Sequence, residues 1–124
     1  MATNGANGMW EKAARPEDLA RLFVERVNDG DVEGLVELYE DDAVLAFPPG
    51  NETVGRAAIR AVFEKMLAAK PQFAAEKPLP TIFHGDLALT STRPADGTGG
   101  RVQVARRQPD GSWLRIIDRP ELPR

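Results

Sequence analysis

The chain has 124 residues, close to the usual size of one domain, so a single core and no second folding unit are expected. Hydrophobic residues make up 42% and charged residues 28%, too apolar for a wholly disordered chain, and the net charge of −3 argues against a basic nucleic-acid platform. With no cysteine, disulfides, thiolate catalysis and cysteine-ligated metals are excluded; with one histidine, His84, an all-histidine zinc site is excluded too. No apolar run approaches the roughly 20 residues that span a bilayer. The N-terminus lacks a basic-then-apolar secretory plan, so a cytoplasmic location and no membrane partner are expected.

Residues 1–15 begin with small polar residues and no periodicity and read as a flexible tail, before a single domain over 16–122 and a short tail at 123–124. Pro16, Glu17 and Asp18 suit the first turn of a helix. Leu19, Leu22, Phe23 and Val27 then form one apolar stripe, which Asn28-Asp29-Gly30 ends. Asp31 is placed to cap a second, shorter helix carrying Val32, Leu35, Val36 and Tyr39 and ending at Glu40-Asp41-Asp42. Ala43 to Phe47 reads as a strand closed by Pro48-Pro49-Gly50. From about Gly55, Ile59, Val62, Phe63, Met66 and Leu67 give the strongest helical period, which Pro71 terminates.

After Pro71 strands replace helices. Phe73 to Phe83 carries Pro78 and Pro80 and suits only an edge or bulged strand. A turn at His84-Gly85-Asp86 leads to a strand over Leu87 to Arg93, a Gly-rich loop over Pro94 to Gly100, and a strand over Arg101 to Arg107. Pro109-Asp110-Gly111 is hairpin chemistry before a strand over Ser112 to Arg119. Helices first and a meander afterwards predict an α+β domain with helices on one face of a sheet.

The ordered chain resembles the nuclear-transport-factor-2-like superfamily, and within it the SnoaL-like and ketosteroid-isomerase-like branches. The resemblance rests on Asn28-Asp29-Gly30-Asp31, Leu38 to Ala43, Gly55-Arg56-Ala57-Ala58-Ile59, Gly85-Asp86-Leu87-Ala88 and Arg106 to Trp113, in that order. It implies a cone, with three N-terminal helices packed on a strongly curved antiparallel sheet around an apolar pocket. It also implies homodimers through the outer sheet face, where Val102, Val104, Trp113 and Ile117 are expected. Ketosteroid isomerase uses an Asp base with Tyr and protonated Asp donors. Its base position falls on Phe47, its oxyanion Tyr on Phe23, the supporting Tyr on Phe63 and its oxyanion Asp on Gln103; only Tyr39 keeps a phenol. The familiar steroid isomerisation is therefore ruled out.

Alternation puts Leu114, Ile116 and Asp118 on one face of the last strand and Trp113, Arg115 and Ile117 on the other. The resemblance turns the first set into the cone, along with Arg101, Gln103 and Ala105 on one neighbouring strand and Leu87, Leu89 and Ser91 on the next. Asp118 and Gln103 are the candidate catalytic residues. Tyr39, Phe23, Phe47, Phe63, Leu89, Ser91, Arg101, Leu114 and Ile116 are the candidate substrate-binding residues. Asp118 has a competing reading as a structural ion pair with Arg101, Arg93, Arg119 or Arg56. Desolvation would favour its neutral form; an adjacent arginine would reverse that. His84 and Asp86 read as turn residues, and Glu40-Asp41-Asp42 lacks the spacing of a calcium loop, so no metal and no cofactor are expected. The expected function is acid/base isomerisation, cyclisation or dehydration of an apolar, carbonyl-bearing metabolite. The alternative is a non-catalytic binding or dimerisation module.

Overall fold

The computed structural model describes residues 10–94 and 99–122; residues 1–9 of the expected tail, residues 95–98 of the Gly-rich loop, and 123–124 lie outside the described residues. In chain order the elements are α1 (Asp18–Asn28), α2 (Val32–Val36), β1 (Tyr39–Leu45), β2 (Thr53–Val54), α3 (Arg56–Leu67), β3 (Lys77–Pro78), β4 (Ile82–His84), β5 (Leu87–Arg93), β6 (Arg101–Arg107) and β7 (Trp113–Arg119). The strands form one curved, unclosed sheet in the order β2-β1-β7-β6-β5-β3, with β4 also paired to β5. Every pairing is antiparallel except β1 with β7, which is parallel.

The helical stripes behave as their spacing predicts: Leu19, Leu22 and Val27 of α1 and Ile59 and Phe63 of α3 are buried with Leu35, Tyr39 and Leu45 in one core. Asp31 caps α2, its Oδ1 accepting from Gly34 N at 2.9 Å. Its Oδ2 accepts from Trp10 Nε1 at 2.9 Å. Arg26, buried in α1, donates to the backbone oxygens of Gly34 (2.8 Å) and Glu11 (2.5 Å), and Trp113 N donates to Ala13 O at 3.0 Å. These bonds tie Trp10–Arg15 to the domain, so the ordered unit begins before Pro16.

Three further departures have local causes. Tyr39–Leu45 is a strand, so Glu40-Asp41-Asp42 lies inside it and does not end α2; β1 places five residue steps from Tyr39 to Val44 beside two steps of β7, and this excess turns Asp41 and Asp42 into solvent. The Phe73–Phe83 stretch reduces to two short pairings, β3 and β4, separated by Leu79, Pro80 and Thr81. In β7, Ile117 pairs with Val104 and Arg115 with Ala105, so Ile116 is an extra residue, a β-bulge. Turn chemistry elsewhere holds, with Gly85 (φ +60°) and Gly111 (φ +88°) in the left-handed region that their turns require.

The outer face carries a cross-strand apolar row. Ile82 pairs with Leu89, Leu89 with Val104, Val104 with Ile117, Ile117 with Val44 and Val44 with Val54. Ile82, Val54 and Ile117 are 64%, 57% and 49% exposed. Trp113, expected on this face, is instead buried in the core with its ring edge-on to Phe83 at 6.0 Å.

Candidate functional site

The site is assembled by register. Thr90 of β5, Gln103 of β6, Asp118 of β7 and Leu45 of β1 are successive cross-strand partners, and all four are buried. Thr90 Oγ1 donates to Gln103 Oε1 at 2.9 Å, which turns the Gln103 amide nitrogen away from Thr90. That nitrogen makes no hydrogen bond to a described residue. Beside it, the Tyr39 hydroxyl donates to Asp118 Oδ2 at 2.6 Å, the length of a charge-assisted bond.

Arg115 completes the group. Its Nη1 lies 3.3 Å from the Tyr39 hydroxyl and 3.5 Å from Asp118 Oδ2, with both ion-pair side chains almost fully buried. The guanidinium carbon sits 5.3 Å from the Phe23 ring centroid and 5.9 Å from that of Tyr39, a cation–π cradle. Phe63 packs against both rings at 5.8 and 5.7 Å. Burial, with the Asp118 charge beside it, pushes the Tyr39 phenol well above its ordinary pKa. Burial opposes the Arg115 charge, but the acidic groups of Tyr39 and Asp118 more than offset it and its pKa is raised. Two buried atoms of the cluster, Asp118 Oδ1 and Arg115 Nε, have no hydrogen-bond partner among the described residues.

Among the expected site residues, Asp118, Gln103, Tyr39, Phe23 and Phe63 converge here. Others do not. On β5 the buried residues are Ala88, Thr90 and Thr92, so Leu89 and Ser91 belong to the opposite face and Thr90 takes the inward place. The bulge at Ile116 brings Arg115 and Asp118 to the same side, which excludes Leu114 from the cone and leaves Ile116 as the inserted residue. Arg101 pairs with Glu76, Nε to Oε1 at 2.8 Å and Nη2 to Oε2 at 2.9 Å. The partner of Asp118 is Arg115, and none of Arg101, Arg93, Arg119 or Arg56. Phe47 packs partly buried against the core, and its backbone oxygen accepts from Thr53 Oγ1 at 2.6 Å. Sequence reasoning missed Arg115, because strand alternation carries no signal for a bulge, and Thr90, because the opposite face of β5 was expected inward. His84 is exposed. No group of three or more acidic or histidine side chains among the described residues is placed to hold a metal ion.

A cleft of about 390 Å³ lies elsewhere, between the Trp10–Ala13 segment and the β6–β7 turn. Arg26, Leu38, Gln108, Trp113 and Leu114 line it; Asp118, Gln103 and Tyr39 do not. Among the described residues no helix is long and apolar enough to cross a membrane.

No curated protein matches the chain. Solved structures do. A chain described as a calcium/calmodulin-dependent protein kinase type II association domain from Thiobacillus denitrificans aligns with a TM-score of 0.71 at 20% identity, over 90% of this chain and 99% of that one. A ketosteroid isomerase-like protein from Erwinia carotovora atroseptica aligns with a TM-score of 0.66 at 20% identity, over 83% and 89%. A chain provisionally assigned as a dehydratase of the NTF2-like family from Streptomyces avermitilis aligns with a TM-score of 0.62 at 20% identity, over 86% and 94%. At these identities the likeness is one of fold. The model of the SnoaL-like domain matches residues 20–118, a span that holds every residue of the Tyr39–Arg115–Asp118 cluster, and the chain belongs to the SnoaL-like family.

Proposed function

We propose that the chain is a small-molecule enzyme that works by general acid/base chemistry, without a cofactor, on an apolar metabolite bearing a carbonyl group, as an isomerase, cyclase or dehydratase. The observation that carries this reading is the divided environment of Asp118: Oδ2 is held by Tyr39 and Arg115, while Oδ1 is buried without a partner among the described residues. A buried polar atom left unpaired costs about 1–3 kcal/mol, so it marks a place that a ligand atom would complete. Gln103 stands opposite with a free amide N–H. A ligand carbonyl accepting from that N–H would bring its α-carbon toward Oδ1, which takes the proton while the amide stabilises the developing oxyanion. Tyr39 and Arg115 fix the carboxylate and balance its charge.

A second reading, a non-catalytic binding module, is favoured by the Arg115–Asp118 ion pair, which would anchor a polar ligand group equally well. Solvent exchange of α-protons separates the two. Cyclic ketones such as 2-tetralone are incubated with the protein in D₂O and followed by NMR. The enzyme reading expects exchange faster than in buffer, lost in Asp118→Asn while ketone binding persists. Binding without exchange assigns the module, and exchange indifferent to Asp118→Asn removes Asp118 from the chemistry.

The exposed Ile82–Leu89–Val104–Ile117–Val44–Val54 row supports a homodimer through the outer sheet face, because a contiguous apolar strip on a sheet is a surface that a second copy would cover.

A further inference from the structure

Asp118, Tyr39 and Arg115 are buried, and none of them lines the 390 Å³ cleft. A line of stacked groups connects them to the surface. Arg115 lies over Phe23, and Phe73 stacks on Phe23 with centroids 6.5 Å apart and planes 18° from parallel. Phe73 itself is 40% exposed. It belongs to the irregular connection between α3 and β3, where the backbone has no sheet partner until Lys77.

We propose that Gln72–Glu76 is the gate of the Asp118 site, and that a flat, conjugated carbonyl compound enters by displacing the Phe73 ring from Phe23. The choice of ligand rests on the acid/base reading above; the gate does not. The connection is held at two latches. At one end the Asn28 side chain donates from Nδ2 to Phe73 O (2.9 Å) and accepts from Phe73 N at Oδ1 (2.7 Å), both in exposed positions. At the other, the Glu76 carboxylate accepts from Thr92 Oγ1 (2.8 Å) and from Arg101 Nε and Nη2 (2.8 and 2.9 Å). Ala74 and Ala75 between them are exposed. Opening here breaks a few side-chain bonds, whereas opening through the sheet or a helix breaks a backbone ladder, so this stretch belongs to the low-stability end of the structure. Asn28 closes the helix that carries Phe23, so releasing its latch frees Phe73 while Phe23 stays in place. The ring face that Phe73 leaves is apolar and planar, which selects a flat ligand.

Tyr39 is the sole tyrosine, so its nitration by tetranitromethane reports on this site alone. Wild type is expected to be protected, and Asn28→Ala to be nitrated about tenfold faster with unchanged circular dichroism, the size expected from losing one or two exposed hydrogen bonds; Phe73→Ala keeps those backbone bonds and is expected to be nitrated faster because the ring over Phe23 is gone. Glu76→Gln, which weakens the second latch, is expected to move the rate in the same direction. Equal rates in all four proteins, or rates that rise only with the unfolded fraction, overturn the gate. The ligand is tested with 2-acetonaphthone on chain labelled with 3-fluorotyrosine, which has one fluorine resonance. That resonance is expected to shift, with faster association in Asn28→Ala. Faster nitration with no response to the ketone keeps the gate and removes the ligand class, while the acid/base reading stands or falls by the α-proton exchange above. A response with equal nitration and equal association rates keeps that reading and removes the gate.

Discussion

Arg115 and Asp118 stand three residues apart on one strand and meet on the same side of it, Nη1 3.5 Å from Oδ2, because β7 carries one residue more than β6 between them. Without the extra residue, two positions separated by an odd number of steps would face opposite sides of the sheet. Arg115→Met is expected to cost about 3–5 kcal/mol, because it leaves a buried carboxylate without its counter-charge. Adding Asp118→Asn should recover part of that loss. Urea unfolding of the single and double variants measures both; a double variant no more stable than Arg115→Met would show that the two side chains do not act as a pair.

Tyr39 links the site to alkaline stability. Burial and the neighbouring Asp118 charge hold its folded pKa well above the ordinary tyrosine value of about 10, so its contribution is full below about pH 10. Above that, the unfolded chain releases a proton that the folded chain keeps, and stability falls as pH rises toward the folded pKa. Tyrosinate absorbance near 295 nm should therefore appear together with the loss of circular dichroism. A phenol that ionises while the protein stays folded would contradict this.

Gly34 is expected to tolerate no side chain. A Cβ there would lie 2.3 Å from Asp31 Oδ2, 2.7 Å from Trp10 Nε1 and 2.9 Å from Arg26 Cδ, so Gly34→Ala overpacks the point where α2 is capped and the N-terminal segment is tied. A loss of about 1–3 kcal/mol is expected, with a change in tryptophan fluorescence as Trp10 is displaced.

Ile117→Lys places a charge in the middle of the outer apolar row and is expected to yield monomers while leaving the melting temperature of the monomer near that of wild type. Light scattering at micromolar concentration checks it. Wild type that is already monomeric there would remove the proposed dimer.

No useful turnover of a 3-oxo-Δ5-steroid is expected. Phe47 cannot accept a proton, and Phe23 offers no hydroxyl to an oxyanion. Ultraviolet absorbance of the conjugated product would reveal any such activity, and a rate abolished by Asp118→Asn would contradict the expectation.

The helices were legible because each buries one stripe: Leu19, Leu22 and Val27, then Ile59 and Phe63, recur at the spacing of a helix face. The limits of β5 and β6 were legible from Gly85, Arg93 and the Gly-rich loop. Half of the site followed from the family resemblance, which brought Asp118, Gln103, Tyr39, Phe23 and Phe63 to one place. The rest depended on register. Leu89 and Ser91 are expected inward, but Leu87–Arg93 runs three apolar residues and then three hydroxyl residues, so its two faces have nearly the same composition, and it is Thr90 and Thr92 that turn in. Arg115 was hidden by the single inserted residue at Ile116, because strict alternation along Trp113–Arg119 puts Arg115 and Asp118 on opposite faces and only the register with β6 reveals the extra residue.

The parallel pairing of β1 with β7 also fixes an order of events in folding. Tyr39 and Asp118 are 79 residues apart in the chain yet adjacent in the core, so the centre of the sheet closes only when the last strand arrives. Contacts of this separation slow folding, because the entropy of a long loop is lost before they form. Until β7 docks, β1 and β6 present two facing open edges, with the Leu45 and Ala105 surfaces uncovered between them. A chain truncated before Trp113 is therefore expected to keep its helical signal and to aggregate through those edges, rather than to persist as a smaller folded domain.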